Sequence, residues 1–194
     1  IHPDEISSLI LILPRMILDT PGHEVIMETM IERIENIVCL EDSIYDLPAI
    51  IFDRAAAAYM AVEQLIRSGH QRIAFLAMEG QLRQGYRQAL FENNLPYDES
   101  LVRVLSSVEP PRSAYQQTLE LLEVDDIPTA IFASNDEAGI AAIAALHDRG
   151  LRVPDDIAIT SIDDIELASM VRPALTTVNV PKRSIGAHAM RFLI

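Results

Sequence analysis

Residues 127–164 constrain the fold most strongly, because they predict a strand, a helix and a second strand in immediate succession. An apolar run at 129–133 is followed by polar residues, among them Asn135, of the kind that start a helix. Gly150 can adopt the left-handed conformation that ends many helices, so the helix is expected to end just before it. A second apolar run follows at 157–161. The stretch therefore predicts a βαβ unit, the element from which parallel sheets are built.

Polar side chains follow each of these two strands. Asn135 comes after the first and Asp163 after the second, so both are expected at one edge of the same sheet. An amide and a carboxylate can together donate to and accept from sugar hydroxyls or nucleobase edges. Helix capping is the alternative, because Asn and Asp also satisfy backbone N–H groups at helix starts. For Asp136 and Asp164, capping or an internal salt bridge is favoured, and Asp163 and Asp164 are expected to diverge along an extended backbone.

The same alternation of strands and helices continues along the whole chain. Apolar runs predict strands at 6–13, 37–40, 49–52, 72–77, 101–105, 129–133, 157–161 and 176–178. Helical periodicity and capping residues predict helices at 20–34, 54–67, 82–93, 111–123 and 136–148, with a last one from Pro181. Strands that alternate with helices of this length indicate an α/β protein with mainly parallel sheets.

Charge and cysteine content exclude some classes of function. The chain has 29 acidic residues against 15 lysines and arginines, and its net charge of −14 argues against a DNA-binding surface. The one cysteine, Cys39, lies in an apolar run and is expected to be a buried hydrophobe in a reducing compartment.

No sequence motif indicates an enzyme, a metal site or a cofactor. A nucleophile elbow, a phosphate loop and a dinucleotide-binding glycine motif are not found in the sequence. Its five histidines show no ligand spacing with cysteine or with each other.

Membrane insertion and export are also not indicated. The longest apolar stretch, at 6–18, is too short to span a bilayer and contains Pro14 and Arg15. No export signal is visible, although a chain that begins at Ile1 without methionine is expected to be a fragment.

Several segments, in order along the chain, resemble the lactose-repressor/galactose-repressor (LacI/GalR) family of bacterial transcription regulators. The resemblance is carried by residues 55–75, including Ser68-Gly69-His70-Gln71-Arg72, by Gly85-Tyr86-Arg87-Gln88-Ala89-Leu90, by Pro128-Thr129-Ala130-Ile131-Phe132 with Asn135-Asp136, by 150–158 with Ile162-Asp163-Asp164, and by Pro173-Ala174-Leu175-Thr176-Thr177-Val178 with Pro181. It covers roughly residues 7–194.

The resemblance implies the effector-binding core of such a regulator, with the fold of periplasmic sugar-binding proteins. That fold has two parallel-sheet α/β subdomains joined by crossing strands, with the ligand between them. Residues 1–52 and 179–194 would be the remains of an incomplete N-terminal subdomain, and 53–178 the C-terminal subdomain. The family's DNA-binding helix-turn-helix is not in this chain, so operator DNA would be bound only through that missing N-terminal domain.

The resemblance also implies which residues contact the ligand. Asn135 and Asp163 align with ligand-contacting positions of the family, and Phe52 and Glu41 align with positions that line its pocket. The family has an arginine three residues before the glycine of its GYR motif, and Leu82 stands at that position here. Arg83 lies one residue later and is therefore a further predicted contact. The loop before that helix is shorter than usual, and serine stands at 161 where the family has glycine.

The sequence therefore predicts a cytoplasmic regulator, and not an enzyme. It is expected to bind a small polar metabolite, such as a sugar, and to act as a homodimer whose subdomain closure controls operator binding. The apolar helix face at 139–146 is a candidate dimer surface, with burial in the core as the alternative. A periplasmic sugar-binding protein that serves a transporter is the alternative function.

Overall fold

The chain divides into two compact units, each built around a parallel sheet. The computed structural model describes residues 6–12, 21–41, 43–106 and 109–194. The first unit comprises Ile1–Phe52 and Pro181–Ile194, and the second comprises Asp53–Val180. Every strand pair among the described residues is parallel. The predicted α/β class with two parallel-sheet units is therefore confirmed.

The first unit has a three-stranded sheet in the order β1-β2-β3. Its elements are β1 (Ser8–Leu11), α1 (His23–Arg33), β2 (Asn36–Leu40), β3 (Ala49–Ile50) and α7 (Lys182–Leu193). Met27 of α1 packs with Leu11, Ile37 and Cys39 in its core. Cys39 is buried as predicted, and burial raises the pKa of its thiol. Residues 13–20 and 42, which include the start of the first predicted helix, lie outside the described residues.

The second unit has a five-stranded sheet in the order β5-β4-β6-β7-β8. Its strands are β4 (Ile73–Ala77), β5 (Val102–Val104), β6 (Ala130–Ala133), β7 (Ala158–Asp163) and β8 (Thr176–Asn179). Its helices are α2 (Arg54–Arg67), α3 (Gln81–Glu92), α4 (Pro110–Leu121), α5 (Asp136–Asp148) and the short α6 (Glu166–Met170). Strands β4 and β6 are buried along their whole length. All five strands end at the same edge, which is where open parallel sheets bind ligands.

Local sequence signals locate most of these elements correctly. Asp53 caps α2 by accepting a hydrogen bond of 2.8 Å from the backbone N–H of Ala56. One strand boundary and one missed helix matter for the site. Strand β7 does not end at 161 but runs to Asp163, because β8 pairs with it as far as Asn179. Helix α6 was not predicted, since its five residues are too few to show helical periodicity.

The Gly-Tyr pair in the middle of α3 fixes this helix in the unit. The Tyr86 hydroxyl donates a hydrogen bond of 2.9 Å to the Ile73 carbonyl, and its ring lies 5.3 Å from that of Phe75. Gly85 faces α2 so closely that an added Cβ would overlap the Ala55 carbonyl and lie 3.0 Å from the Ala58 Cβ. The two helices can therefore approach only because residue 85 has no side chain.

The fully buried Asp136 carboxylate connects three segments at the carboxyl edge of the sheet. It accepts hydrogen bonds from the hydroxyls of Ser161 (2.6 Å) and Thr177 (2.5 Å) and from the backbone N–H of Ile165 (2.7 Å). These donors belong to β7, to β8 and to the loop before α6. The prediction that Asp136 caps its own helix or forms a salt bridge is therefore wrong. Its partners are two hydroxyls and an N–H group that lies 29 residues away in the chain. A buried carboxylate needs such donors to offset its lost hydration.

Replacing Asp136 by alanine should strongly destabilise the second unit. The substitution leaves two hydroxyls and one N–H group without their acceptor, so we expect a loss of about 3 kcal/mol in the free energy of unfolding. Urea unfolding followed by circular dichroism measures this loss. The matched control is Asp156→Ala, which removes an exposed carboxylate bound to Arg152 and should have a much smaller effect. Equal losses in the two variants would show that Asp136 is not a structural centre.

Replacing Gly85 by alanine should also destabilise the protein, because the methyl group would force α2 and α3 apart. Overpacking of this kind typically costs about 1–3 kcal/mol. Gly186→Ala in α7 is the control, since an added Cβ there has no atom within 4 Å and the helix should be unaffected or slightly more stable. Urea midpoints that fall only for Gly85→Ala would confirm the close approach, and an unchanged midpoint would contradict it.

Candidate functional site

Asn135 and Asp163 lie at neighbouring positions on the carboxyl edge of the second sheet. Phe132 of β6 is paired with Thr160 of β7, and Asn135 and Asp163 each follow three residues later. Because the strands are parallel, the two residues lie at the same edge of the sheet and at corresponding positions. The structure thus places this pair of predicted contacts together.

Asn135 caps α5 with one half of its amide group. Its side-chain oxygen accepts a hydrogen bond of 2.9 Å from the backbone N–H of Ala138, so the capping prediction is confirmed. The side chain is half-buried, and its amino group has no hydrogen-bond partner among the described residues. Capping and ligand contact are therefore compatible, because they use different atoms of the same side chain.

Asp163 and Asp164 form a short non-extended segment where β7 ends, called the turn below. Their φ angles are 124° and 54°, in the left-handed region that favours glycine, so the expected extended backbone is wrong. The Asp164 carboxylate accepts a hydrogen bond of 2.7 Å from the Asn179 side chain, and its backbone N–H donates to the Thr177 hydroxyl at 3.2 Å. Both partners belong to β8, which therefore stabilises this strained turn.

Sequence reasoning missed three of the residues that hold this edge. Ser161 and Thr177 donate to Asp136, and Asn179 donates to Asp164. A hydroxyl at 161 in place of the family's usual glycine was the one available signal, because only a side chain with a donor could reach Asp136 there. No local pattern identifies Asn179, since its partner is 15 residues away.

Arg83 lies in the first turn of α3 and is held by residues of the same unit. Its guanidinium binds Glu79 and the Tyr97 hydroxyl, and it lies 2.6 Å from Glu99. Hydrogen bonds from the Tyr97 hydroxyl and from Arg83 lower the pKa of Glu99. Hydrogen bonds to the Tyr97 hydroxyl and to Glu99 raise the pKa of Arg83. Leu82, at the family's arginine position, is buried. The contacts of Arg83 in the described part of the chain are with Glu79, Tyr97 and Glu99, so its role as a ligand contact stays a prediction.

Glu41 and Phe52 belong to the first unit and lie at the carboxyl edge of its sheet. Glu41 directly follows β2, has a φ of 78°, and donates its backbone N–H to the Ile50 carbonyl at 3.1 Å. Phe52 follows β3 and is half-buried. The predicted site residues are thus divided between the units, with Asn135, Asp163 and Arg83 in the second. Ligand contact by Glu41 and Phe52 stays a prediction.

A cavity of the second unit lies away from these strand ends. It has a volume of about 490 Å³ and is lined by residues before β4 and β5, among them Arg72, Tyr97 and Asp98. Arg72 is paired there with Asp98 at 2.7 Å and with Asp126 at 3.1 Å. Because strand starts lie opposite strand ends in a parallel sheet, this cavity is separate from Asn135 and Asp163. The candidate site lies at the strand ends, where the Asn135 amino group has no partner among the described residues.

The part of the chain that the structure describes contains no helix long and apolar enough to cross a membrane. Within that part, no group of three or more His, Cys, Asp or Glu side chains is arranged to hold a metal ion.

Comparison with known proteins identifies related sequences that are regulators. A family model described as a periplasmic binding protein-like domain matches residues 62–194. Catabolite control protein A of Priestia megaterium is 39% identical over 161 residues, which are 78% of this chain and 47% of that protein. The HTH-type transcriptional regulator DegA of Bacillus subtilis is 38% identical over 149 residues, 73% of this chain and 43% of that protein. The chain thus spans about half the length of the curated relatives it matches.

Solved structures of similar proteins show the same fold. A LacI-family sugar-binding transcriptional regulator from Escherichia coli has a TM-score of 0.79 and 26% identity, over 97% of this chain and 68% of that chain. A complex of the transcriptional regulator CelR with cellobiose has a TM-score of 0.80 and 29% identity, over 96% of this chain and 58% of that chain. These findings confirm the predicted periplasmic-binding-protein-like fold and the resemblance to LacI/GalR regulators. The chain belongs to the periplasmic binding protein-like domain family, in the form found in LacI-family transcriptional regulators.

Proposed function

We propose that this chain is the effector-binding part of a bacterial DNA-binding transcriptional regulator. Its ligand is a small polar metabolite, most simply a sugar, bound at the carboxyl edge of the five-stranded sheet. The observation that carries the proposal is the placement of Asn135 and Asp163 at neighbouring strand ends, where one amide donor has no partner within the described chain. Ligands of open parallel sheets bind at this edge.

The chemistry of the pair suits a polyhydroxylated ligand. The Asn135 amino group donates, the Asp163 carboxylate accepts, and a sugar hydroxyl can do both at once. Two of the similar structures are described as a sugar-binding regulator and as a cellobiose complex, which supports a sugar as ligand class for this chain.

The alternative, a periplasmic sugar-binding protein that serves a transporter, has less support. The relatives and the similar structures reported above are transcriptional regulators, and none of these is described as an enzyme. The proposal therefore includes operator binding through a further domain of the full-length protein, in the cytoplasm, where the DNA is.

Asn135→Ser should separate ligand binding from helix capping. Serine keeps an oxygen that caps α5 but removes the amide donor, so stability should stay within about 0.5 kcal/mol of wild type. Sugar affinity should fall about tenfold, as expected for one lost hydrogen bond. Titration calorimetry with neutral mono- and disaccharides, including cellobiose, measures the affinity, and urea unfolding measures the stability.

Two further variants complete this experiment. Asp163→Asn should weaken the binding of the same sugar by roughly tenfold or more, because a hydrogen bond to a charged acceptor is stronger. Asn93→Ala, which removes a 2.9 Å hydrogen bond to the Ala89 carbonyl at the end of α3, should leave affinity unchanged. If a sugar binds and its affinity is equal in all variants, the assigned site is wrong.

We further propose that the chain forms a homodimer, through a surface other than the helix face at 139–146. Most of the apolar face at 139–146 is buried within the second unit, which agrees with the alternative prediction of burial in the core. Its buried members are Gly139, Ala142, Ile143, Ala145 and Leu146. By contrast, Leu167 and Met170 of α6 are 48% and 58% exposed. Exposed apolar side chains of this size on one short helix support α6 as part of the dimer surface.

Charged residues on α6 should therefore dissociate the dimer. We expect Leu167→Glu with Met170→Glu to shift the sedimentation equilibrium from dimer to monomer, because each carboxylate would be desolvated in the contact. Phe91→Glu on α3, which replaces a side chain that is 82% exposed, is the control and should leave the dimer intact. Dissociation by the control alone would place the interface elsewhere.

A further inference from the structure

The turn that contains the proposed ligand contact Asp163 is bound to the last strand of the second unit at three points. In the strand ladder, Asp163 is paired with Asn179. The Asp164 backbone N–H donates to the Thr177 hydroxyl at 3.2 Å, and the Asn179 side chain donates to the Asp164 carboxylate at 2.7 Å. A change in the backbone at Asp163 therefore cannot occur without a change in at least one contact to β8.

Strand β8 is also the place where the chain leaves this unit. It ends at Asn179, the second unit ends at Val180, and the residues from Pro181 belong to the first unit. Asn179 thus combines two roles in one residue: it holds the turn with its side chain, and its backbone is the last paired position before the boundary.

We infer that Asp164 is a positioning residue that couples ligand occupancy at Asp163 to the end of β8. The inference rests on the proposed function, in which Asp163 contacts the effector. The Asp164 carboxylate holds Asn179, and its N–H group holds Thr177, so the left-handed turn and β8 form one cooperative segment. A ligand that restricts the turn therefore restricts β8 as well. In this way, binding at the site affects the point where the chain passes from the second unit to the first. Asp136, which also binds Thr177, fixes the other side of this segment.

The turn has the conformation that such a coupling needs. Asp163 and Asp164 both have positive φ angles, which residues with side chains rarely adopt unless other contacts maintain them. Loss of the Asp164 contacts should therefore release the turn and β8 together. Simple loss of a hydrogen bond would expose both of its ends, but it would not make the protection of β8 depend on the backbone at Asp163.

Hydrogen exchange measured by mass spectrometry on the 194-residue chain without ligand tests the coupling. Asn179→Ala removes the side-chain donor to Asp164, and we expect the amides of residues 163–165 and 176–180 to exchange about tenfold faster. Asn93→Ala is the matched control and should change neither segment. The combination of Asp164→Asn with Asn179→Asp exchanges donor and acceptor, and it should restore most of the protection.

A double-mutant cycle separates coupling from simple loss of a contact. Asp163→Gly widens the range of backbone conformations open to the turn, because glycine has no Cβ, and this greater freedom should accelerate exchange in β8 when Asn179 is present. In the Asn179→Ala background the same substitution should have little further effect on β8. Additive effects, or β8 exchange that does not respond to Asp163→Gly, would overturn the inference.

Failure of the coupling and failure of the proposed ligand binding give different experimental results. No ligand is used in the exchange experiments, so they decide the coupling even if no sugar binds the chain. If sugars bind but β8 and the turn exchange independently, the proposed function stands and the positioning role of Asp164 is wrong.

Discussion

The candidate site of this protein depends on one buried carboxylate. Asp136 starts α5, yet its hydrogen bonds reach β7, β8 and the loop before α6. A charge that is removed from water must be compensated by well-placed donors, so three segments are drawn to fixed positions around it. Asn135 adjoins this carboxylate, and Asp163 lies two residues beyond the donor Ser161. The relative placement of the two proposed ligand contacts is therefore set by a residue that need not touch the ligand.

Much of the second unit could be predicted because its signals are local. Apolar runs marked β4, β6 and β7, and the caps Asp53 and Asn135 act on N–H groups three residues away. The same locality explains why the role of Asn135 stayed open between capping and ligand contact. A pattern shows that an amide is present at a helix start, but only the structure shows that its oxygen is used there and its amino group is not.

What could not be predicted depends on partners that are distant in the chain. Arg83 is bound to Tyr97 and Glu99, which lie 14 and 16 residues away, and no local pattern identifies these partners. The left-handed turn at Asp163 and Asp164 requires contacts from β8, and without them an extended backbone is the reasonable expectation. In both cases a single sequence shows the charged groups but not which of the possible partners the fold brings to them.

The internal hydrogen bonds also determine what this edge can offer a ligand. The buried Asp136 directs both carboxylate oxygens toward donors of the unit itself, so it stabilises the site without extending its polar surface. The Asn135 amino group is thus a donor whose position is set before any ligand arrives, because the oxygen of the same amide is bound to α5. A donor that is already held in place loses little further conformational entropy on binding. This favours recognition of a ligand by the orientation of its hydroxyl groups, which is the property that distinguishes one sugar from another.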